Sequence, residues 1–181
     1  EYARHNGLEV SFEKIVADIG KIGAPGSLNN YPKGWSMAGN TPFRDWKRYT
    51  YQGGIADPLI IHWPDKIKDR GAIRNQYHHV TDLLPTVLDA LDIEPPEVIS
   101  GVQQSAIEGV SMWYSIDDPD STTKKKIQYY EMLGARALYY KGWKAVAEHV
   151  PMSSAGNFNN DRWELFYLPD DPNETNDLSE I

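Results

Sequence analysis

The chain has 181 residues, 40% hydrophobic, 24% charged and 12% aromatic, with no cysteine and a formal net charge of −8. This suits an ordinary globular domain, alone or with an appendage, and excludes a disordered chain or a fibre. No stretch approaches the roughly 18 apolar residues of a membrane-spanning helix, the acidic balance argues against nucleic acid as a partner, and the lack of cysteine removes disulfides, thiolate metal ligands and a cysteine nucleophile.

Leu8, Phe12, Ile15, Val16, Ile19 and Ile22 recur at spacings of 3 and 4. The pattern predicts an amphipathic helix over about residues 9–20, capped by Ser11 and ended by Gly20 and Gly23. Residues 24–40 (APGSLNNYPKGWSMAGN) are rich in Pro, Gly, Asn and aromatics and read as a long loop. Its Tyr31, Trp35 and Met37 argue against a solvated tether.

A Gly53-Gly54 pair precedes the apolar run Pro58–Pro64, which reads as a buried strand of an α/β sheet that includes His62. Val80, Leu83, Leu84, Val87, Leu88 and Leu91 form a second helical stripe. Thr81 or Asp82 is its expected cap, Pro85 falls in its first turns, and Pro95-Pro96 stops it. Asp117–Lys126 reads as an exposed turn. Four short segments rich in aromatic and β-branched residues follow, Ile127–Met132, Arg136–Tyr140, Trp143–His149 and Trp163–Leu168, separated by turn residues. They predict an antiparallel four-stranded meander. The expected organisation is an α/β portion over residues 1–116 and a small antiparallel subdomain over 117–181.

Several candidate sites fail on geometry. His78 and His79 are adjacent, so their side chains diverge in any regular element, and the pair reads as a structural or helix-entry feature. Asp117-Asp118 and Asp170-Asp171 sit before prolines, as surface turns do. No HExxH, Gly-rich phosphate loop or Gly-x-Ser-x-Gly elbow is present.

The segment Asn40–Gly54 (NTPFRDWKRYTYQGG) stands apart. Arg44, Lys47 and Arg48 fall within five residues, aromatics lie between them, and two glycines follow. Cations at a sheet edge can hold an anionic ester and counter the charge that develops as its bond breaks. The alternative is a cationic surface segment with its stems packed on tryptophan.

The run NTPFRDWKRYTYQGGIADPLIIHWPDKI resembles the arylsulfatases of the sulfatase family, as do HHVTDLLPTVLDALDIEPP, GVQQSAIEGVSM, QYYEMLGARALYYKGWKAV and LFYLPDDPNETNDLSE, in the family's order. The resemblance spans essentially the whole chain. It implies part of an alkaline-phosphatase-like sheet-and-helix domain followed by the small antiparallel subdomain. It also implies a parent enzyme that hydrolyses sulfate esters to an alcohol or phenol plus sulfate.

Carried over position by position, the resemblance makes Lys47 the lysine that contacts the sulfate oxygens, because its spacing to Gly53-Gly54 is the family's. Trp35 and Trp46 are expected to line the substrate entrance; Arg44 and Arg48 gain no catalytic role. The family's nucleophile is a formylglycine made within Cys/Ser-x-Pro-x-Arg, and its divalent cation, typically calcium, is held by an early Asp pair and a later Asp-Asn. None of these motifs occurs here, and His5-Asn6-Gly7 only echoes one of them. The chain begins at Glu1 without Met or a leader and stops at Ile181 after an acidic run. It is therefore expected to be a C-terminal piece of an arylsulfatase, inactive alone, with formylglycine and the cation belonging to the full parent and neither bound here. A phosphonate or phosphodiester hydrolase of the same superfamily and a non-catalytic, aromatic-rich carbohydrate-binding module are the alternatives.

Overall fold

The computed structural model describes residues 11–25, 33–150 and 156–180. It divides into two units, Glu1–Gly39 and Asn40–Ile181.

In the first unit, α1 spans Phe12–Ala17 and tightens into a 3₁₀ turn over Ile19–Lys21. Ser11 caps it as expected, its hydroxyl accepting from the Lys14 N–H at 3.2 Å. The helix is shorter than the apolar spacing implies, and residues 9 and 10 of the expected span, like His5-Asn6-Gly7, lie outside the described residues. The segment expected to be a loop corrects more sharply: Lys33–Asn40 forms a helix, α2, despite Gly34, Gly39 and Asn40, and its last residue, Asn40, already belongs to the second unit. Low intrinsic propensity hid it.

The second unit opens with a compact loop leading to a one-turn helix, α3 (Gln52–Ile55). The next segment overturns the expectation of a buried strand at Pro58–Pro64. The run has no regular secondary structure up to a turn at Pro64 and pairs with no neighbour among the described residues. Ile60 is 90% exposed, and Leu59, Ile61 and His62 are exposed as well. An apolar run needs a hydrogen-bonded partner to become a strand, and composition cannot supply one.

The second apolar stripe does form a helix, a 3₁₀ turn (Val80–Asp82) running into α4 (Leu83–Ala90). His79 and Asp82 share the cap: Asp82 Oδ2 accepts the His79 N–H at 2.9 Å and His79 Nδ1 accepts the Thr81 N–H at 3.4 Å. Pro85 sits in the first turn, where its missing N–H costs little. Asp82 is also the hub of this region. Fully buried, it takes the Lys125 ammonium at 2.8 Å and the Val110 N–H at 2.9 Å. Burial opposes its charge, but Lys125 and the Val110 and His79 N–H groups outweigh it and hold the carboxyl below its usual range. Lys125, expected in an exposed lysine run, is therefore 4% exposed while Lys124 and Lys126 face solvent.

A small hairpin of β1 (Val98–Ile99) and β2 (Val102–Gln103) and a short helix α5 (Trp113–Asp117) connect to the sheet. The sheet is the expected meander, antiparallel in the order β3 (Ile127–Met132), β4 (Ala135–Tyr140), β5 (Trp143–Ala147), β6 (Trp163–Tyr167). Leu133-Gly134 and Lys141-Gly142 turn its first two hairpins, all four residues at positive φ. That backbone matches the twist of the strands it joins. One face carries Ala137, Val146 and Phe166, which pack with Tyr51 from the loop before α3 into the buried core, and the Tyr51 and Phe166 rings meet edge to face at 6.4 Å. No helix among the described residues is long and apolar enough to cross a membrane.

Candidate functional site

The cationic segment is a loop folded back on itself by close backbone contacts. The Gly53 N–H donates to the Arg44 carbonyl at 2.8 Å and the Tyr49 N–H to that of Trp46 at 3.0 Å. The Asn40 side-chain amide, at the end of α2, donates to the Asp45 and Gly53 carbonyls at 2.9 and 2.8 Å. A Cβ on Gly53 would stand 2.2 Å from the Asp45 carbonyl oxygen, and one on Gly54 2.1 Å from that of Tyr49. Both glycines are there because α3 presses against the loop with no room for a side chain.

Lys47 sits on the outer bend of this loop. It is exposed, and its ammonium makes no hydrogen bond or ion pair among the described residues. Asp45 and Arg48, two residues before it and one after, hold positive φ of 62° and 91°. Such backbone costs ordinary side chains about 1–3 kcal/mol and persists only where the surroundings enforce it. The loop thus presents a cation on an over-determined backbone, which suits holding an anion in a fixed place.

The neighbouring cation is engaged elsewhere. The Arg44 guanidinium lies 3.9 Å over the Tyr51 ring and 3.3 Å from Glu164 Oε2. Tyr51 also donates its hydroxyl to Glu164. Burial, and then that hydrogen bond, push the Tyr51 phenol well above its ordinary range, so it stays protonated. Arg44 therefore ties the loop to β6. Trp46 is half-buried and meets Tyr49 edge to face at 5.0 Å, beside Lys47. Trp35 is exposed on α2, in the other unit.

Sequence reading missed the group beneath the loop. Lys144 on β5 and Glu174 in the turn after β6 are each 1% exposed. The Lys144 ammonium lies 2.6 Å from Glu174 Oε1 and 3.2 Å from Gln52 Oε1, and Glu174 Oε2 accepts the Gln52 N–H at 2.5 Å. Burial pushes Lys144 down to about 8 against the pull of Glu174, and burial pushes Glu174 up. The only signal in the sequence is alternation along β5, which puts Lys144 on the same face as Val146.

Among the described residues no group of three or more His, Asp or Glu could hold a metal ion. Asp82, the most buried carboxylate, is already neutralised by Lys125. These residues do not fit a divalent cation site.

Residues 39–180 match the family described as N-sulphoglucosamine sulphohydrolase, C-terminal. An uncharacterized sulfatase of Schizosaccharomyces pombe is 27% identical over 153 residues, 83% of this chain and 26% of its own. N-acetylgalactosamine-6-sulfatase of Sus scrofa is 34% identical over 73 residues, 40% of this chain and 13% of its own. A solved chain described with the metabolism of multiple glycosaminoglycans by Bacteroides thetaiotaomicron superposes with a TM-score of 0.58 at 19% identity, over 76% of this chain and 28% of its own. The chain thus spans about a quarter of the sulfatase that it matches over most of its own length. With the family matched from the loop before Lys47 through the turn that carries Glu174, this chain belongs to the C-terminal domain family of the sulfatases.

Proposed function

We propose that the chain supplies one wall of the sulfate site of a sulfuric ester hydrolase, with Lys47 as the residue that binds the ester's sulfate oxygens. The observation that carries this reading is the Lys47 ammonium, unpaired among the described residues, on a loop held by Gly53 and Gly54, at the arylsulfatase spacing. An ammonium carried on a held backbone binds a sulfate group and offsets the negative charge that grows on its oxygens as the ester bond breaks. Trp46 then serves as an apolar surface at the entrance.

Residues 1–116 belong on this reading to the α/β sulfatase domain and 117–181 to its antiparallel subdomain. The nucleophile and the divalent cation implied by the resemblance come from outside this chain, which alone turns over no substrate. The reaction releases sulfate and an alcohol or phenol, in the manner of an arylsulfatase. The name of the relative N-acetylgalactosamine-6-sulfatase favours a sugar alcohol as leaving group.

The test is in-frame sequence upstream of Glu1, followed by Lys47→Ala in the resulting protein. Cys/Ser-x-Pro-x-Arg and the Asp-Asn pair upstream, with a loss of kcat/KM of about a hundredfold or more in the variant, support the reading. Full activity in Lys47→Ala, or turnover by the 181-residue chain alone, refutes it.

A further inference from the structure

The loop that carries Lys47 is gripped at its far end by two charges that have no contact with solvent. Gln52 opens α3, and its next two residues are the glycines against which the loop packs. Its N–H donates to Glu174 Oε2 at 2.5 Å and its side-chain oxygen accepts from Lys144 at 3.2 Å. The two gripping residues are 122 and 92 positions further along the chain. Lys144 stands on β5 between Tyr139 of β4 and Phe166 of β6. Glu174, at a positive φ of 56°, is set by Asp171, whose carbonyl accepts the Glu174 N–H and whose carboxylate accepts the Thr175 and Asn176 N–H groups.

A buried ion pair is a poor way to gain stability, since apolar residues of similar volume often do as well or better. What it supplies is direction. Glu174 can satisfy Lys144 and the Gln52 N–H together in one placement of α3, and the close approach of Gly53 to Asp45 and of Gly54 to Tyr49 passes that placement to the loop.

We propose that Lys144 and Glu174 are a positioning pair for Lys47: by clamping both ends of the Gln52 residue they set the height of the Gly53-Gly54 turn, and hence the place where the Lys47 ammonium meets a sulfate group. This rests on the reading of Lys47 as the sulfate ligand. Neither Lys144 nor Glu174 touches substrate.

The test uses the isotope-labelled 181-residue chain, titrated with inorganic sulfate while amide shifts and amide hydrogen exchange are followed by NMR. The variants are Glu174→Gln and the charge-free double variant Lys144→Met/Glu174→Gln, which leaves no uncompensated charge if the single variant does not fold. The expected result is a sulfate Kd at Lys47 raised about tenfold, the scale of one lost charged hydrogen bond, with faster exchange at Gly53 and Tyr49 and unchanged exchange at Ala137 and Val146 of the sheet. A merely structural pair would speed exchange throughout and leave the sulfate Kd of the folded fraction unmoved. An unchanged Kd together with unchanged Gly53 exchange in a folded variant overturns the proposal. Loosened Gly53 exchange in a chain whose wild type shows no sulfate response at Lys47 upholds the clamp and refutes only the role of Lys47.

Discussion

A Cβ added to Gly54 would stand 2.1 Å from the carbonyl oxygen of Tyr49, so α3 and the Lys47 loop are in backbone-to-backbone contact at that point. The obstacle is main chain and cannot rotate away. Gly54→Ala is expected to cost about 1–3 kcal/mol, as overpacking does, and to displace the loop. By contrast Gly34→Ala on α2, with nothing within 4 Å, is expected to gain up to about 1 kcal/mol of helix preference. Denaturant unfolding of the two variants, with circular dichroism for the second, checks the pair.

Lys47 carries its proposed role without a structural one. Its side chain is exposed and unpaired among the described residues, so Lys47→Ala is expected to leave unfolding within about 0.5 kcal/mol of wild type, as surface substitutions do, while abolishing the sulfate-dependent amide shifts of residues 45–49. A fall in stability well beyond that size would show that Lys47 packs or pairs.

Asp82 makes stability depend on acid. Its carboxyl is held below the ordinary 3.8, so the folded state keeps it charged where the unfolded chain has begun to protonate. The contribution is present in full above the unfolded value and is lost as pH falls through the lower folded value. Unfolding free energy is therefore expected to drop more steeply below pH 3.8 in wild type than in Asp82→Asn. Equal acid limbs from pH-dependent urea melts would remove Asp82 from the account.

Thr86 links α4 to the segment before α5. Its hydroxyl donates to the Asp82 carbonyl at 2.5 Å and accepts the buried Met112 N–H at 2.9 Å. Thr86→Val keeps the shape and strands that N–H, which is expected to cost about 1–3 kcal/mol. Thermal unfolding measures it, and Thr86→Ser, which keeps the hydroxyl, should recover most of the loss.

What could be read without coordinates is what the chain encodes locally. The meander was legible because Leu133-Gly134 and Lys141-Gly142 sit between alternating aromatic and β-branched runs, and turn and strand chemistry agree there. The second apolar stripe and the Ser11 cap were legible for the same reason. The spacing of Lys47 to Gly53-Gly54 marked the loop, yet not why two glycines were needed, since the atoms that exclude a side chain belong to residues 44–49 folded back upon them.

The misreadings were all decided at a distance. Pro58–Pro64 has strand composition and no partner among the described residues. Lys33–Asn40 is a helix whose last residue is engaged by Asp45 and Gly53. Lys125 lies between two exposed lysines and is buried because Asp82, 43 residues earlier, receives it. The sequence by itself determined the family, the hairpins and the helical stripe, since each is written in neighbouring residues. Only the tertiary structure decided which charges are buried, which apolar run stays unpaired and what grips the Lys47 loop. A charge leaves water only when a partner from elsewhere in the chain arrives to meet it, and no local pattern announces that partner.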